Sequence, residues 1–466
     1  MLGPNESLSV YNVHRLSKQQ PTHALSDLEN NPEEGWGVSR HPLKPLNHLD
    51  YLMGKEKIAE TLLLHNLRTP PAIFERNYAR LDQHQKGALS TEQVVLSLQH
   101  ELHAYGTQKS AAEIRELLQE FATVRHMEFH PSDVCNLKCL GCTYGHDNPA
   151  TKPLPINFPF AHIEKISTLQ PRSMVIIGGG EPTLYRNKQN GFQELIENII
   201  QFNPDITLAL TTNGTFKPKG SWPNQFSWIR LSLDAATPET YRAFRGKNHF
   251  HHVVSNFLDY LDYDVPYVGI SFLFAQANIH EYAAVAAYIF NLVKKEKPQH
   301  LSKVNIQYRP LRRDPHNYHL SFEEAVNQGH IEKAVQEVRA LADSSGELKN
   351  FLKNQTNVTA ILGGNTHPPH DFSRCYYSET FKIVRANGDI RPCFIRVVEP
   401  DFHLGNILHD PLEKIALNNL YINARRKPHC TSHGCRQCHV NFVLEQGIQG
   451  NIKPSQSPEV LADPMF

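Results

Sequence analysis

Between His126 and about Arg309 short apolar runs alternate with stretches of helical periodicity. The runs His126 to His130, Ser173 to Ile177, Ile206 to Thr212, Trp228 to Asp234, Val268 to Phe274 and Val304 to Arg309 read as strands. Among the intervening segments, Phe192, Leu195, Ile196, Ile199 and Ile200 fall on one helical face. Strand and helix in alternation predict parallel βα units, and six of them predict an α/β fold, a partial (β/α)6 TIM-like barrel.

Successive side chains of a strand point to opposite faces. In the fourth strand Ile229, Leu231 and Leu233 share one face while Arg230, Ser232 and Asp234 share the other. Asn305, Gln307 and Arg309 oppose Val304, Ile306 and Tyr308 in the sixth, and His126, Glu128 and His130 line one side of the first. With the apolar faces packed on helices, the lumen is predicted to be polar. Glu128, His130, Asn305, Gln307 and Arg309 are its candidates for holding substrate. Arg309 suits a bidentate grip on a carboxylate, with an ion pair across the barrel mouth as the alternative.

Outside the barrel the pattern is helical from about Lys55 to Phe121 and from about Phe322 to Gln355. Phe381 to Ile395 reads as a hairpin turning at Asn387-Gly388, with Cys393 on its second strand. The predicted division is an extended or loosely ordered arm (1–54), a helical accessory region (55–122), the barrel (123–320), a helical linker (321–370) and a small cysteine-rich α+β domain (371–466). In the accessory region the loop from Asp82 to Gln93 is spaced like an EF-hand, with Gly87 at the turn. His84, Lys86 and Gln93 stand where calcium needs carboxylates, so the loop is a degenerate one used for packing.

Composition narrows the partners. Lys plus Arg equals Asp plus Glu at 47 each among 466 residues, which gives no steering toward nucleic acid or an anionic membrane. The start, MLGPNESLSVYNVHR, lacks a basic segment followed by an apolar run. The most apolar helical stretch, near Ala283 to Val293, is shorter than the ~20 residues that span a bilayer. A soluble, cytoplasmic protein is expected. His249-Phe250-His251-His252 has no carboxylate or cysteine partners at ligand spacing and reads as a solvated loop.

A long chain of this kind sits where cysteines more often bind metals than form disulfides. Three of the eight, Cys135, Cys139 and Cys142, follow the first strand; Cys375, Cys393, Cys430, Cys435 and Cys438 lie near the C-terminus. Gly178-Gly179-Gly180-Glu181-Pro182 follows the second strand and Asn213-Gly214 the third, at the strand ends where barrels bind ligands. Cys135-x3-Cys139-x2-Cys142 offers an iron-sulfur cluster three thiolates and leaves one iron open to a substrate or cofactor. Zinc is the competing metal, but structural zinc needs four closed ligands.

From about Val124 to Pro310 the sequence resembles the radical S-adenosylmethionine superfamily. The resemblance implies a catalytic 4Fe-4S cluster on Cys135, Cys139 and Cys142. The open iron is chelated by the methionine end of S-adenosylmethionine, and reduction releases a hydrogen-abstracting 5′-deoxyadenosyl radical. Gly179, Gly180, Glu181 and Pro182 look like the family's GGEP motif, which binds the methionine ammonium. Thr212 and Asn213 resemble its third-strand motif, and Ser232 the fourth-strand group at the ribose or methionine. Arg245 resembles the arginine that meets the methionine carboxylate, and Asn278 an adenosine contact. The aromatic residue usual before the third cysteine is replaced by Gly141, and Tyr144 is the candidate to stand in for it at the adenine.

Cys375-x12-Gly388-x4-Cys393 followed by Cys435-x2-Cys438 resembles the SPASM or twitch extension, which implies an auxiliary 4Fe-4S cluster. Five cysteines are fewer than a two-cluster SPASM domain has, so one auxiliary cluster is expected, with Cys430 spare or an alternative ligand. A zinc knuckle using Cys430, His433 and His439 competes. By resemblance the substrate is a peptide or protein side chain, with a flavodoxin or ferredoxin as reductant. A radical dehydrogenase or epimerase of a small molecule, a sugar or amino-acid derivative, is the alternative. A non-catalytic iron-sulfur or zinc scaffold is the reading from another class.

Overall fold

The computed structural model describes residues 48–62, 71–104, 106–142, 144, 156–311, 329–358, 375–394, 396–425, 441 and 445. Four helices come first: α1 (His48–Thr61), α2 (Pro71–Gln85), α3 (Thr91–Ala104) and α4 (Ala111–Ala122). Ser110 opens α4 with a capping box, its hydroxyl accepting from the Glu113 N–H while the Glu113 carboxylate accepts from the Ser110 N–H. The barrel follows as β1 (His126–Phe129), β2 (Ser173–Ile176), α5 (Phe192–Phe202), β3 (Thr207–Thr212), β4 (Phe226–Ser232), α6 (Pro238–Arg245), α7 (Phe250–Tyr260), β5 (Tyr267–Phe274), α8 (Tyr282–Glu296) and β6 (Val304–Pro310). Helices α9 (His330–Ser344) and α10 (Gly346–Gln355), strands β7 (Phe381–Val384), β8 (Asp389–Arg391) and β9 (Gly405–Asn406), and helix α11 (Leu412–Arg425) complete the described elements.

The strands form one sheet in the order β6-β5-β4-β3-β2-β1-β7-β8-β9. All pairings from β6 through β1 are parallel, as six successive βα units require, and β7 joins β1 in parallel too. The hairpin of β7 and β8 then turns back antiparallel. The second hairpin strand ends at Arg391, so Cys393 lies beyond it: Pro392 has no N–H to continue the ladder. The histidine run departs from its reading as a loop, since Phe250, His251 and His252 form the first turn of α7; His251 and His252 are nonetheless exposed.

Register divides the lumen into layers. Glu128, Val175, Ala209, Trp228 and Tyr267 lie side by side across the sheet, and Val175, Ala209 and Trp228 pack as an apolar floor. Thr211, Arg230, Gly269 and Asn305 form the next row toward the C-terminal strand ends, then Ser232, Ser271 and Gln307. The polar lumen expected from strand alternation is thus interrupted at this level by an apolar floor, with Glu128 as the one acid in its row.

The N-terminal helices dock on α11. The Tyr421 hydroxyl donates to Asp82 Oδ1 at 2.7 Å, His84 Nδ1 lies 3.1 Å from Asn418 Oδ1, and the Tyr78 and Tyr421 rings stack at 5.2 Å. Two residues of the EF-hand-like loop, Asp82 and His84, thus pack against α11. Buried Lys55 donates to the Glu120 and Thr123 carbonyls at 3.3 and 2.6 Å, and to that of Phe121, closing the C-terminal end of α4.

Candidate active site at the strand ends

After β1 the chain crosses the strand ends as residues 130–142. One flank is zipped to the loop after β2: the Gly180 N–H donates to the Ser132 carbonyl at 2.9 Å and the Glu181 N–H to that of Val134 at 2.8 Å. A Cβ on Gly180 would overlap the Val134 carbonyl oxygen, so this backbone approach requires glycine. The other flank rests on the C-terminal end of α6, where the Phe244 and Arg245 carbonyls accept from the N–H groups of Leu140 (2.8 Å) and Lys138 (3.3 Å). Between them Asn136 Oδ1 accepts from Asn213 Nδ2 at 2.8 Å, which ties the loop to the end of β3.

This loop carries Cys135, Cys139 and Cys142 as thiols. Burial pushes the Cys135 thiol up to about 11. Cys139 Sγ accepts from Arg245 Nη1 at 3.3 Å, and Arg245 Nη2 pairs with the Asp234 carboxylate. Arg245 Nε is buried with no acceptor among the described residues. No three His, Cys, Asp or Glu side chains among the described residues converge as ligands of one ion would.

Glu181 is buried and its oxygens are occupied. Oε1 accepts from the hydroxyls of Thr183 (2.7 Å) and Thr212 (2.6 Å), and Oε2 from the Asn213 N–H at 2.7 Å. Burial pushes its carboxyl pKa up, and these hydrogen bonds oppose the shift. Pro182 opens the helical turn that follows, which Glu181 caps. Beside Gly179 lies the Asp133 carboxylate, whose Oδ1 is buried with no partner among the described residues. Sequence reasoning missed Asp133; its one signal was an acid two residues before the first cysteine.

The remaining expectations divide. Ser232 is half-buried in the upper lumen row beside Ser271. Asn278 is 0 % exposed and its amide is fully used: Oδ1 accepts from the Ala275 N–H (2.8 Å), and Nδ2 donates to the Asp234 and Leu273 carbonyls (2.9 Å each). Its amide has no N–H left to offer an adenosine. Gly141 has φ +66, and a Cβ there would come 2.8 Å from Leu311 Cδ2, so Leu311 fills the space an aromatic ring would need. Tyr144 does not replace that ring as an open face. It is 8 % exposed, its hydroxyl 2.9 Å from His130 Nδ1 and the Arg385 guanidinium over its ring. In the lumen His130 Nε2 lies 3.6 Å from Glu128, and Gln307 Oε1 accepts from Arg230 Nη1 at 2.7 Å and from Arg309. Asn305 is buried over Gly269.

Cys375 and Cys393 are buried near β7 and β8. Asn441 Nδ2 lies 3.6 Å from Cys375 Sγ and its Oδ1 accepts from the Tyr377 N–H at 2.8 Å. Cys430, Cys435 and Cys438 lie outside the described residues, as do His433 and His439. Tyr144, Cys375, Tyr377, Phe381, Ile383 and Val397 form one apolar cluster, against which Cys142 packs. Cys142 and Cys375 thus border one apolar patch.

Residues 129–289 match the family model of the Radical SAM superfamily. That region is a Radical SAM domain, and the protein carrying it is a radical S-adenosylmethionine enzyme, of a kind that uses a 4Fe-4S cluster and S-adenosylmethionine. Residues 375–439 match the SPASM iron-sulfur cluster-binding domain, so this enzyme is of the kind that carries an auxiliary cluster at its C-terminal side. Among solved structures it is similar to native anSMEcpe with bound AdoMet (20% identity, TM-score 0.46, covering 64% of this chain and 82% of that one). It is also similar to Streptococcus suis SuiB bound to precursor peptide SuiA (15% identity, TM-score 0.47, covering 80% and 84%). A comparison with curated proteins returns no match. No helix among the described residues is long and apolar enough to cross a membrane.

Proposed function

We propose that Cys135, Cys139 and Cys142 hold the catalytic cluster, and that the enzyme oxidatively modifies a peptide or protein side chain in the lumen. In this reading the barrel is one domain and the C-terminal region another, where Cys375 and Cys393, with return ligands from Cys430, Cys435 and Cys438, hold one auxiliary cluster.

The donor set fits the cofactors. Three thiols sit on one loop at the barrel mouth, and two buried groups of opposite charge there have an atom without a hydrogen-bond partner among the described residues: Asp133 Oδ1 beside Gly179, and Arg245 Nε beside the cysteine loop. An ammonium and a carboxylate, the two ends of a methionine, suit these atoms, and desolvated charged groups without partners are costly unless a ligand supplies them. The bound cluster and S-adenosylmethionine supply a one-electron reductive cleavage that yields a hydrogen-abstracting radical.

The chain's own residues do the rest. Gly179, Gly180, Glu181 and Pro182 shape the backbone around the methionine end, Thr212 and Asn213 fix Glu181, and Ser232 faces the upper lumen. Arg230, Asn305, Gln307 and Arg309 present hydrogen-bonding groups that suit a peptide segment. Half-buried Glu128, backed by His130, is placed to take the proton a substrate loses on oxidation. The observation that supports the oxidative reading is the shared patch of Cys142, Tyr144 and Cys375; with Cys142 and Cys375 as cluster ligands, an electron acceptor would adjoin the site of initiation.

The test is anaerobic reconstitution with a flavodoxin, ferredoxin or dithionite as reductant, followed by mass analysis of candidate peptides encoded beside this protein. Release of 5′-deoxyadenosine and loss of hydrogen from a peptide are expected, and both should vanish when Cys135, Cys139 and Cys142 are replaced by Ala. Turnover of a sugar alcohol with no peptide present would replace the peptide reading by the small-molecule one.

A further inference from the structure

One buried chain of polar groups ends on a cysteine of the triplet. It starts at Asn278, whose amide donates to the Asp234 carbonyl at 2.9 Å and fixes that residue's backbone. Asp234 is 1 % exposed and held at φ +56, a left-handed conformation that costs about 1 kcal/mol or more for a residue with a Cβ. That conformation turns the chain out of β4 and leaves the two carboxylate oxygens aimed at different partners. Oδ1 accepts from the Leu273 N–H at 2.6 Å, and Oδ2 pairs with Arg245 Nη2. The guanidinium, thus anchored at one tip, presents its other tip to Cys139 Sγ at 3.3 Å. Lys138 and Leu140 rest on the last carbonyls of α6, so the sulfur and the guanidinium are held by the same helix end.

We propose that the Asp234–Arg245 pair is a device that tunes the catalytic cluster: it keeps one fixed N–H donor on the Cys139 sulfur and so raises the cluster's reduction potential. The proposal rests on the assignment of the cluster to Cys135, Cys139 and Cys142. Hydrogen bonds to the ligating sulfurs and nearby positive charge stabilise the reduced, more negative cluster. A guanidinium suits the task because it stays charged and its planar fork serves two acceptors at once. Asp234 is the positioning residue. Without it Arg245 would be a buried cation lacking its carboxylate anchor.

The measurement is an anaerobic redox titration of the reconstituted full-length enzyme without S-adenosylmethionine, followed by electron paramagnetic resonance. The signal monitored is the one that changes when S-adenosylmethionine is added afterwards, which separates it from the auxiliary cluster. Arg245→Met should make the cluster harder to reduce by roughly tenfold in the equilibrium constant, about 59 mV for one electron. Arg245→Lys, which keeps the charge and loses the fork, should recover part of the shift. Equal midpoints in the wild type and Arg245→Met at equal iron content overturn the proposal. So does loss of the cluster from both variants in otherwise folded protein, since Arg245 would then be only an anchor for the loop. A wild type with no signal responsive to S-adenosylmethionine would instead overturn the cluster assignment itself.

Discussion

The Tyr144 hydroxyl lies 2.9 Å from His130 Nδ1, beneath an Arg385 guanidinium 5.5 Å from its ring centroid. Three segments meet there: the end of β1, the end of the cysteine loop and the turn after β7. Tyr144→Phe removes the hydroxyl and leaves the buried imidazole nitrogen without that partner, at a cost of about 1–3 kcal/mol. Chemical denaturation under anaerobic conditions should show that loss, while affinity for S-adenosylmethionine stays within about twofold. A large loss of affinity with unchanged stability would return Tyr144 to the adenine.

Asp133→Asn keeps the shape of a side chain that is 5 % exposed and removes its charge. Titration calorimetry of the reconstituted enzyme should show affinity for S-adenosylmethionine falling about tenfold, the loss of one charge-assisted hydrogen bond. Iron content should not change, because Asp133 is no ligand of the cluster.

The two glycines after β2 should differ. On Gly180 a Cβ meets backbone, the Val134 carbonyl, whereas on Gly179 it meets the Asp133 carboxylate, which can move. Gly180→Ala is therefore expected to open the zipper between the two loops and to lower cluster occupancy. Gly179→Ala should assemble the cluster and lose mainly cofactor affinity. Iron analysis alongside calorimetry separates the two outcomes, and equal iron content in both variants would contradict the distinction.

In the C-terminal hairpin burial pushes the Asp389 carboxyl up, but hydrogen bonds from His403 and Asn387 and the charges of His403 and Arg391 outweigh it and hold the pKa well below the ordinary 3.8. A depressed acid stabilises the fold fully above its unfolded value and loses that contribution as the pH falls through the folded one. The stability difference between wild type and Asp389→Asn should therefore shrink as the pH drops below 3.8. A difference that grows in acid would reverse the assignment.

Tyr421→Phe should cost about 1 kcal/mol by removing the hydroxyl that donates to Asp82. Calcium or a chelator should leave the thermal midpoint unchanged, since Asp82 and His84 already serve α11. A calcium-dependent midpoint would show that the loop binds an ion after all.

What sequence alone determined was local and periodic. Alternation along each strand separates Ile229 and Leu231 from Arg230 and Ser232 because the strand repeat is two residues. The triplet's spacing and the glycine run are legible because one loop carries each of them. Tertiary structure decided whatever depends on distant segments meeting. Asn278 lies 139 residues from Cys139 in sequence, yet only packing ends its hydrogen-bond chain on that sulfur through Asp234 and Arg245. The apolar floor of Val175, Ala209 and Trp228 follows from register between strands, which no single strand specifies. Whether a buried polar atom is left without a partner among the described residues, as at Asp133 Oδ1, depends on all the groups around it, and a linear pattern does not contain that information.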